Sequence, residues 1–496
     1  MVQNPVILVE LALYLLGMLL IGAYFGRKKL TRAQYHLGGK TLSGWALALS
    51  ERSTGESAWL ILGLTGAAFA TGLPELWVAF GCVGGIVVSW LFLARKFRSE
   101  ADRYRVLTYV DYFATKFPRE GNAIRLLSAL TIVVFYVIYV YAQFEGTGKV
   151  LNETFGLDPK TGIVISAVIT ILYSTAGGFL AVVWTDVVQA VLMILTFIVT
   201  PVIALHAVAQ SHASLGAALA AAGPSASSLT GGATGTLAFL VALKGFSWFF
   251  GYLGGQPQLS TRWMAMRDDA DVKRGAWIAI AWTLLAYTGA IVIGLSALAL
   301  YGRGAVTDPE HILPFMLQKL VPGWLAGLLL VGAVAAIMST ASSLMLIVSS
   351  TVTEDIIRKV LRRDPGERTL VLVSRATLLG TGVLALALAL LFPRPVFSVV
   401  SWVWAGIGCA FSPAAILAFY WKRFSGAGVV ASIVAGFATT AVWMNTPAGE
   451  RVAALLFGGS GAGTISAMVA SFVVAFAAAV VASLLFPGQR ASQAGA

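Results

Sequence analysis

The chain has 496 residues, of which 58% are hydrophobic and only 11% charged, about half the charged share usual for a soluble domain. That composition excludes a water-soluble globular protein and calls for lipid as solvent. The formal charge of +12 does not point to nucleic acid, because the Lys and Arg residues fall between apolar segments in a pattern set by the membrane.

Crossing ~30 Å of hydrocarbon takes about 20 mostly apolar residues in a helix. Thirteen such spans are expected, at 5–25, 42–70, 73–94, 124–151, 161–176, 183–207, 236–262, 275–301, 322–352, 370–392, 396–421, 426–445 and 464–486. The fold class is therefore an all-α polytopic membrane protein with one membrane domain. The first span has no basic residue before it and Arg27, Lys28 and Lys29 just after it, the reverse of a secretory signal, so it reads as a retained helix with its N-terminus outside. With that start, 26 of the 34 Lys and Arg lie on one side, in loops, helix ends and the C-terminal tail. The other side has six: Lys149, Lys160, Arg303, Lys319, Arg394 and Arg451. Arg52 and Lys244 fall inside apolar segments. This asymmetry makes the basic side, with its clusters at 95–105 and 358–363 and the C-terminus, the cytoplasmic face of a multi-pass protein of the cytoplasmic (plasma) membrane. The 209–235 stretch, rich in Ser, Ala, Gly and Thr and without Lys or Arg, is expected to be a flexible extracellular loop.

The second span reads LALSERSTGESAWLILG, and its Ser53, Thr54, Gly55, Glu56 and Ser57 form a polar, poorly helical patch. In the fourth, Glu145 and Lys149 are spaced to pair along one helix face. The sixth begins near Asp186 in WTDVVQ, a carboxylate placed either to face a cation or to favour a helix N-terminus. The seventh reads ALKGFSWFFGYLGGQPQL, where Gly251, Gly254, Gly255 and Pro257 loosen the helix beside Gln256. Irregular backbone at membrane depth is tolerated only against protein or a water-filled cavity. Two broken helices five spans apart are the mark of an inverted-repeat transporter with its site between them, the other reading being two kinked packing helices. Spans 2–6 (42–207) and 7–11 (236–421) would be the repeats, flanked by 1–25 and 426–486.

In the ninth span, Ala336, Ser339, Ser342 and Ser343 share one helix face, with Thr340 one turn after Ala336. Hydroxyls and carbonyls are the hard oxygen ligands a small alkali cation needs, although small residues also let helices approach closely. Cys82 and Cys409 lie in separate apolar spans and read as packing residues. His36, His206, His212 and His311 lack metal-site spacing, so no bound cofactor is expected. A charge in mid-helix costs ~2.5–3.5 kcal/mol, so Glu51, Arg52, Glu56, Glu145 and Lys244 need partners or a wet cavity. Arg52 can be neutralised by Glu51 and Glu56. Lys244, one turn before Trp248, either pairs with Glu56 or meets a substrate carboxylate, and a protonatable Glu56 leaves room for proton coupling.

From about Leu8 to Phe486 the sequence resembles the solute:sodium symporters, especially their sodium/proline branch. The most specific segments are ILYSTAGGFLAVVWTDVVQA (171–190), FSWFFGYLGGQPQLSTRWMA (246–265) and AAIMSTASS (335–343) followed by TEDI (353–356). LGGKTLSGW (37–45), LTYVDYFATKF (107–117) and FSVVSWVWAGIGCAFSPAAI (397–416) support them. The resemblance implies thirteen transmembrane helices around a five-plus-five inverted-repeat core like that of the bacterial leucine transporter, with sodium as coupling ion. It implies a sodium site made by carbonyls of Ser53, Glu56 and Ala336 and hydroxyls of Ser339 and Thr340. A second sodium, present in some members, would involve Asp186, Ser339, Ser342 and Ser343. The substrate cavity would use Ser57, Tyr139, Trp248, Tyr252, Gln256 and Pro257. Three features depart from the branch: a carboxylate at Glu56 where an aspartate is usual at the position of Gly55, the Gly254–Gly255 pair, and the charges of Glu51, Arg52 and Lys244. The expected function is sodium-coupled symport of a small solute, proline or another amino acid, with symport of another small carboxylate, sodium- or proton-coupled, as the alternative. A transporter-like receptor is a further class, although no sensor domain is expected after the last helix. An enzyme is not expected, for want of a catalytic motif.

Overall fold

The computed structural model describes residues 5–28, 31–457 and 464–488. Lys29 of the first basic run and the tail from 489 onward, both read as cytoplasmic, lie outside the described residues. Every regular element among the described residues is helical. Eleven helices among the described residues are long and apolar enough to cross a membrane, against thirteen expected. The difference has two physical sources. The fifth and sixth expected spans run on as one helix, Pro159–Ser211, bent at Gly178, whose φ of 60° and ψ of −157° no helix tolerates. A side chain at Gly178 would run into the ring of Tyr35, so the bend and the close approach both require glycine. The second expected span is broken, leaving Gly44–Gly55 and a shorter apolar stretch, Trp59–Thr71, on either side of Glu56 and Ser57.

The Gly323–Ser350 helix is the axis of the molecule. It is buried from Leu329 to Ser350 and packs against the Pro159–Ser211 and Gly121–Phe155 helices. The outer helices instead turn Leu13, Leu20, Leu130, Trp277 and Leu391 outward, as a lipid-facing surface requires. The seventh expected span is broken as the sequence suggests. Gly235–Phe246 leads into a short turn, Trp248–Tyr252, and the chain resumes as helix only at Pro257–Met264. Gly254 takes a left-handed φ of 76°, and a Cβ on Gly255 would lie 2.2 Å from the Gly408 carbonyl oxygen.

Two expectations change at the level of local structure. The 209–235 stretch is not bare loop, since Leu215–Ala221 and Pro224–Ser227 are short helices and Ala226 packs onto Gly72. Arg125 and Arg262, counted with the solvent-facing basic rim, are buried. Arg125 bonds Asp111 at 2.5 Å and Asp355 at 2.7 Å, while Arg262 reaches into the core.

Candidate functional site

Where the Gly44–Gly55 helix ends, its last carbonyls lose their helical partners and turn toward the hydroxyl face of Gly323–Ser350. Ser339 Oγ donates to the carbonyl of Ser53 at 2.9 Å and Thr340 Oγ1 to that of Thr54 at 2.9 Å. Both hydroxyls also lie within reach of the Ala336 carbonyl, at 2.9 and 3.2 Å. Ser53, Ala336, Ser339 and Thr340 therefore converge as the sequence implied, and Thr54 is an oxygen donor that sequence reasoning omitted. Glu56 stands slightly apart: its N–H donates to the Arg52 carbonyl at 3.1 Å and its side chain turns to other partners. Hydroxyl and carbonyl oxygens of this kind are the hard donors that a cation takes as ligands.

One turn further along the same face lies a second polar centre. Asp186 Oδ2 accepts from Ser50 Oγ at 2.6 Å, from Thr54 Oγ1 at 3.3 Å and from Arg262 Nη2 at 3.2 Å. Arg262 Nη2 also donates to Ser343 Oγ at 2.5 Å, and its Nη1 to the Gln258 carbonyl at 2.9 Å. Ser342 Oγ donates instead to the carbonyl of Ser339, at 2.9 Å. Asp186 Oδ1 is buried without a hydrogen-bond partner, a donor atom open to a cation. Asp186 and Ser343 are thus brought together, through Thr54 and through Arg262, which was not named from the sequence and supplies a positive charge of its own, while Ser342 turns back to its own helix.

The third centre is a wholly buried triad. Arg52 grips Glu51 with Nε, at 2.5 Å, and with Nη2, and its Nη1 donates to Glu56 Oε1 at 2.9 Å. Trp90 Nε1 donates to Glu51 Oε2 at 3.1 Å and Tyr287 OH to Glu56 Oε2 at 2.8 Å. The partner of Glu56 is therefore Arg52. Lys244 does not pair with it: this lysine is exposed, on the wall of a large cavity, because the helix carrying it ends before the break and turns its amine outward. Likewise Lys149 does not pair with Glu145 but bonds Asp308 at 2.6 Å and Glu310 at 2.5 Å, two acceptors that a loop brings closer than a helix turn does.

That cavity, about 760 Å³, opens on the face bearing the Leu215–Ala221 and Pro224–Ser227 helices and includes Glu75, Lys244, Trp248, Phe397 and Ser401 in its walls. Its floor is aromatic. Trp248 lies 4.1 Å from Trp59 between ring centroids and 6.1 Å from Phe397, and Trp59 stacks on Phe397 at 5.9 Å. Of the candidate substrate residues only Trp248 lines the cavity. The others are packed within the core: Tyr139 OH donates to Ser57 Oγ at 3.1 Å, and Trp404 Nε1 donates to Tyr139 OH at 3.3 Å. Tyr252 stacks on Trp404 at 4.1 Å and shares a hydrogen bond with Tyr287 OH at 2.9 Å. Gln256 accepts from Gln258 Nε2 at 3.2 Å, and Pro257 opens the helix that carries Arg262. Trp59, Trp404 and Tyr287 are additions to the list. The tryptophans stand in the WLILG and SWVWAG stretches, where aromatic residues beside small ones were the available signal.

A model of the sodium:solute symporter family matches residues 35–436. The chain belongs to that family. Among curated relatives, the sodium/proline symporter of Escherichia coli (strain K12) is 34% identical over 88% of this chain and 87% of its own. The osmoregulated proline transporter OpuE of Bacillus subtilis (strain 168) is 33% identical over 89% of each. Among solved structures, a sodium-coupled sialic acid symporter in a substrate-bound outward-open state has a TM-score of 0.79 at 19% identity, covering 98% of this chain and 99% of the other. MhsT in complex with L-phenylalanine has a TM-score of 0.53 at 14% identity, covering 88% of this chain and 97% of the other. These likenesses place the symporter in the leucine-transporter-like fold. Its coupling ion is sodium, its relatives are transporters, and it is a multi-pass membrane protein.

Proposed function

We propose that this symporter uses a sodium gradient to bring proline into the cell across the cytoplasmic membrane. The observation that carries the reading is the convergence of the Ser339 and Thr340 hydroxyls on the freed carbonyls of Ser53 and Thr54, in a chain about a third identical to proline transporters over most of its length. Sodium replaces these hydroxyl-to-carbonyl bonds with direct coordination, taking the Ala336 carbonyl as a further ligand and the Glu56 carbonyl when the break rearranges. Because Ser57 follows directly on the same break, sodium entry orders the backbone that faces the solute. Proline then sits beneath the Trp59, Trp248 and Phe397 rings, among Ser57, Tyr139, Tyr252, Gln256 and Pro257. Asp186 with Ser339, Ser342 and Ser343 forms the second cation centre.

The two broken helices belong to inverted repeats spanning 42–207 and 236–421, with 1–25 and 426–486 as flanking helices. The uneven Lys and Arg distribution supports an N-terminus outside and a C-terminus in the cytoplasm, so the 760 Å³ cavity faces outward. The Glu51–Arg52–Glu56 triad favours one second reading, an amino acid or small carboxylate other than proline, because it stands in the break beside Ser57 where the proline branch has a different charge pattern. Uptake of labelled proline, other amino acids and organic acids by proteoliposomes, with and without an inward sodium gradient, tests both. Sodium-driven proline uptake that exceeds every other solute is expected. Uptake of none of them, or uptake indifferent to sodium, refutes the proposal.

A further inference from the structure

A second cavity, about 360 Å³, lies where the Gly121–Phe155 helix ends, the Pro159–Ser211 helix begins and the Glu367–Leu391 helix ends. Its polar walls are Glu145, Lys149, Asn152, Asp158, Lys160 and His311, and its apolar wall is formed by Ile163, Leu390 and Pro393 with Ala389. None of these residues lines the larger cavity. Glu145 is 8% exposed, and its Oε2 is buried without a hydrogen-bond partner. The nearest ammonium cannot satisfy it: Lys149 Nζ is held between Asp308 at 2.6 Å and Glu310 at 2.5 Å, one positive charge already facing two negative ones. His311 is likewise engaged, by Glu153 at 3.1 Å. Carboxylates thus outnumber cations around Glu145, and a buried carboxylate oxygen with no donor is strongly disfavoured.

We propose that this cavity binds a small organic ammonium compound, its N–H donating to Glu145 Oε2 and its short alkyl part lying against Ile163, Leu390 and Pro393. The volume falls in the range of small-molecule sites, roughly 300–1,000 Å³. An inorganic cation fits less well, since it needs about six oxygen ligands whereas one face here is hydrocarbon. The site stands beside the larger cavity's floor, because the Glu310 carboxylate that holds Lys149 also accepts the N–H groups of Val396, at 3.0 Å, and Phe397, at 2.8 Å.

Binding of labelled n-propylammonium to the purified full-length protein, in sodium-free potassium buffer, tests the assignment. Saturable binding of one equivalent is expected, weakened roughly tenfold or more by Glu145→Gln, since a charge-assisted hydrogen bond is lost. Leu390→Trp, which fills the cavity and leaves the carboxylate in place, should also abolish binding and guards against a folding defect in the first variant. Lys244→Met, in the other cavity, should not change it. Absence of saturable binding, equal binding by Glu145→Gln and Leu390→Trp, or displacement by potassium and sodium salts as effective as displacement by unlabelled propylammonium would each overturn the proposal.

Discussion

The Arg262–Asp186 pair carries a prediction that the geometry makes quantitative. Both side chains are fully buried, and Arg262 directs donors at Asp186, Ser343, Ser50 and the Gln258 carbonyl. Arg262→Met keeps the chain length but leaves the Asp186 carboxylate with only the Ser50 and Thr54 hydroxyls, and Asp186→Asn leaves the guanidinium without a counter-charge. Removing one partner of a buried pair costs about 3–5 kcal/mol, whereas replacing both by neutral groups is far milder. The double variant is therefore expected to recover at least about 2 kcal/mol relative to the sum of the singles. Reversible unfolding in mixed micelles measures this, in potassium buffer so that sodium does not stand in for the missing guanidinium. Losses that add within about 0.5 kcal/mol would refute direct pairing in the protein.

Ser339→Ala or Thr340→Ala is expected to raise the sodium concentration for half-maximal uptake roughly tenfold, while the lost hydrogen bond lowers stability by only about 1 kcal/mol. Sodium titrations of proteoliposome uptake check this, and an unchanged sodium dependence in both variants counts against the ion site. Trp248→Ala and Tyr252→Ala should weaken solute binding more than sodium binding, because the Trp248 ring lines the cavity and the Tyr252 ring packs on Trp404 behind it, while neither bonds the Ser339 and Thr340 hydroxyls. Parallel titrations of solute and sodium separate the two effects. Lys244→Met should leave stability within about 0.5 kcal/mol, since its amine is exposed; a loss comparable to that of Glu56→Gln would show a buried role. His36, on the short Arg32–Leu37 helix, is held neutral down to about 3 by burial and then by the neighbouring Arg32. The unfolded chain takes up a proton near pH 6.5 that the folded one refuses, so stability should fall as pH drops from about 6.5 toward 3, by up to ~1.4 kcal/mol per unit. His36→Asn should flatten that limb of the pH–stability curve.

The features legible in the sequence were those that local chemistry fixes. Repeated apolar spans force helices, and glycine, proline and polar runs in spans 2 and 7 force breaks, because backbone amides in lipid have few other options. The Ser339–Thr340 face could be read from helical spacing, whereas its partner carbonyls came from the family resemblance, which named Ser53 and Glu56 but not Thr54. What could not be read was which charge meets which. Arg262 and Lys244 are each a basic residue near an end of a broken span, and the chain pattern gives no reason to send one inward and the other outward. In the fold the chain passes Gly408 so closely at Gly255 that no side chain fits, and the Pro257–Met264 helix beyond it brings Arg262 to Asp186, 76 residues away in sequence. Similarly, Glu145 and Lys149 suit each other on a helix, but Asp308 and Glu310 arrive from a loop.

The same distinction accounts for how the charged triad can exist beside the freed carbonyls of Ser53 and Thr54. Glu51, Arg52 and Glu56 all lie in one short segment, so local chain geometry sets their spacing and Arg52 offsets one of the two carboxylate charges. Tertiary packing then supplies neutral partners: Trp90 and Tyr287 donate to the carboxylates, and Thr283 accepts from Arg52. Tyr287 also shares a hydrogen bond with Tyr252 in the core, and Glu56 is the residue at which the Gly44–Gly55 helix stops. A shift of the break would therefore disturb Glu56, Tyr287 and Tyr252 in turn, while Ser53 and Thr54, one turn earlier, move against Ser339 and Thr340. The helix break is the element common to the proposed ion contacts and the proposed solute contacts, and on that proposal the shared backbone lets occupation of one bias the other.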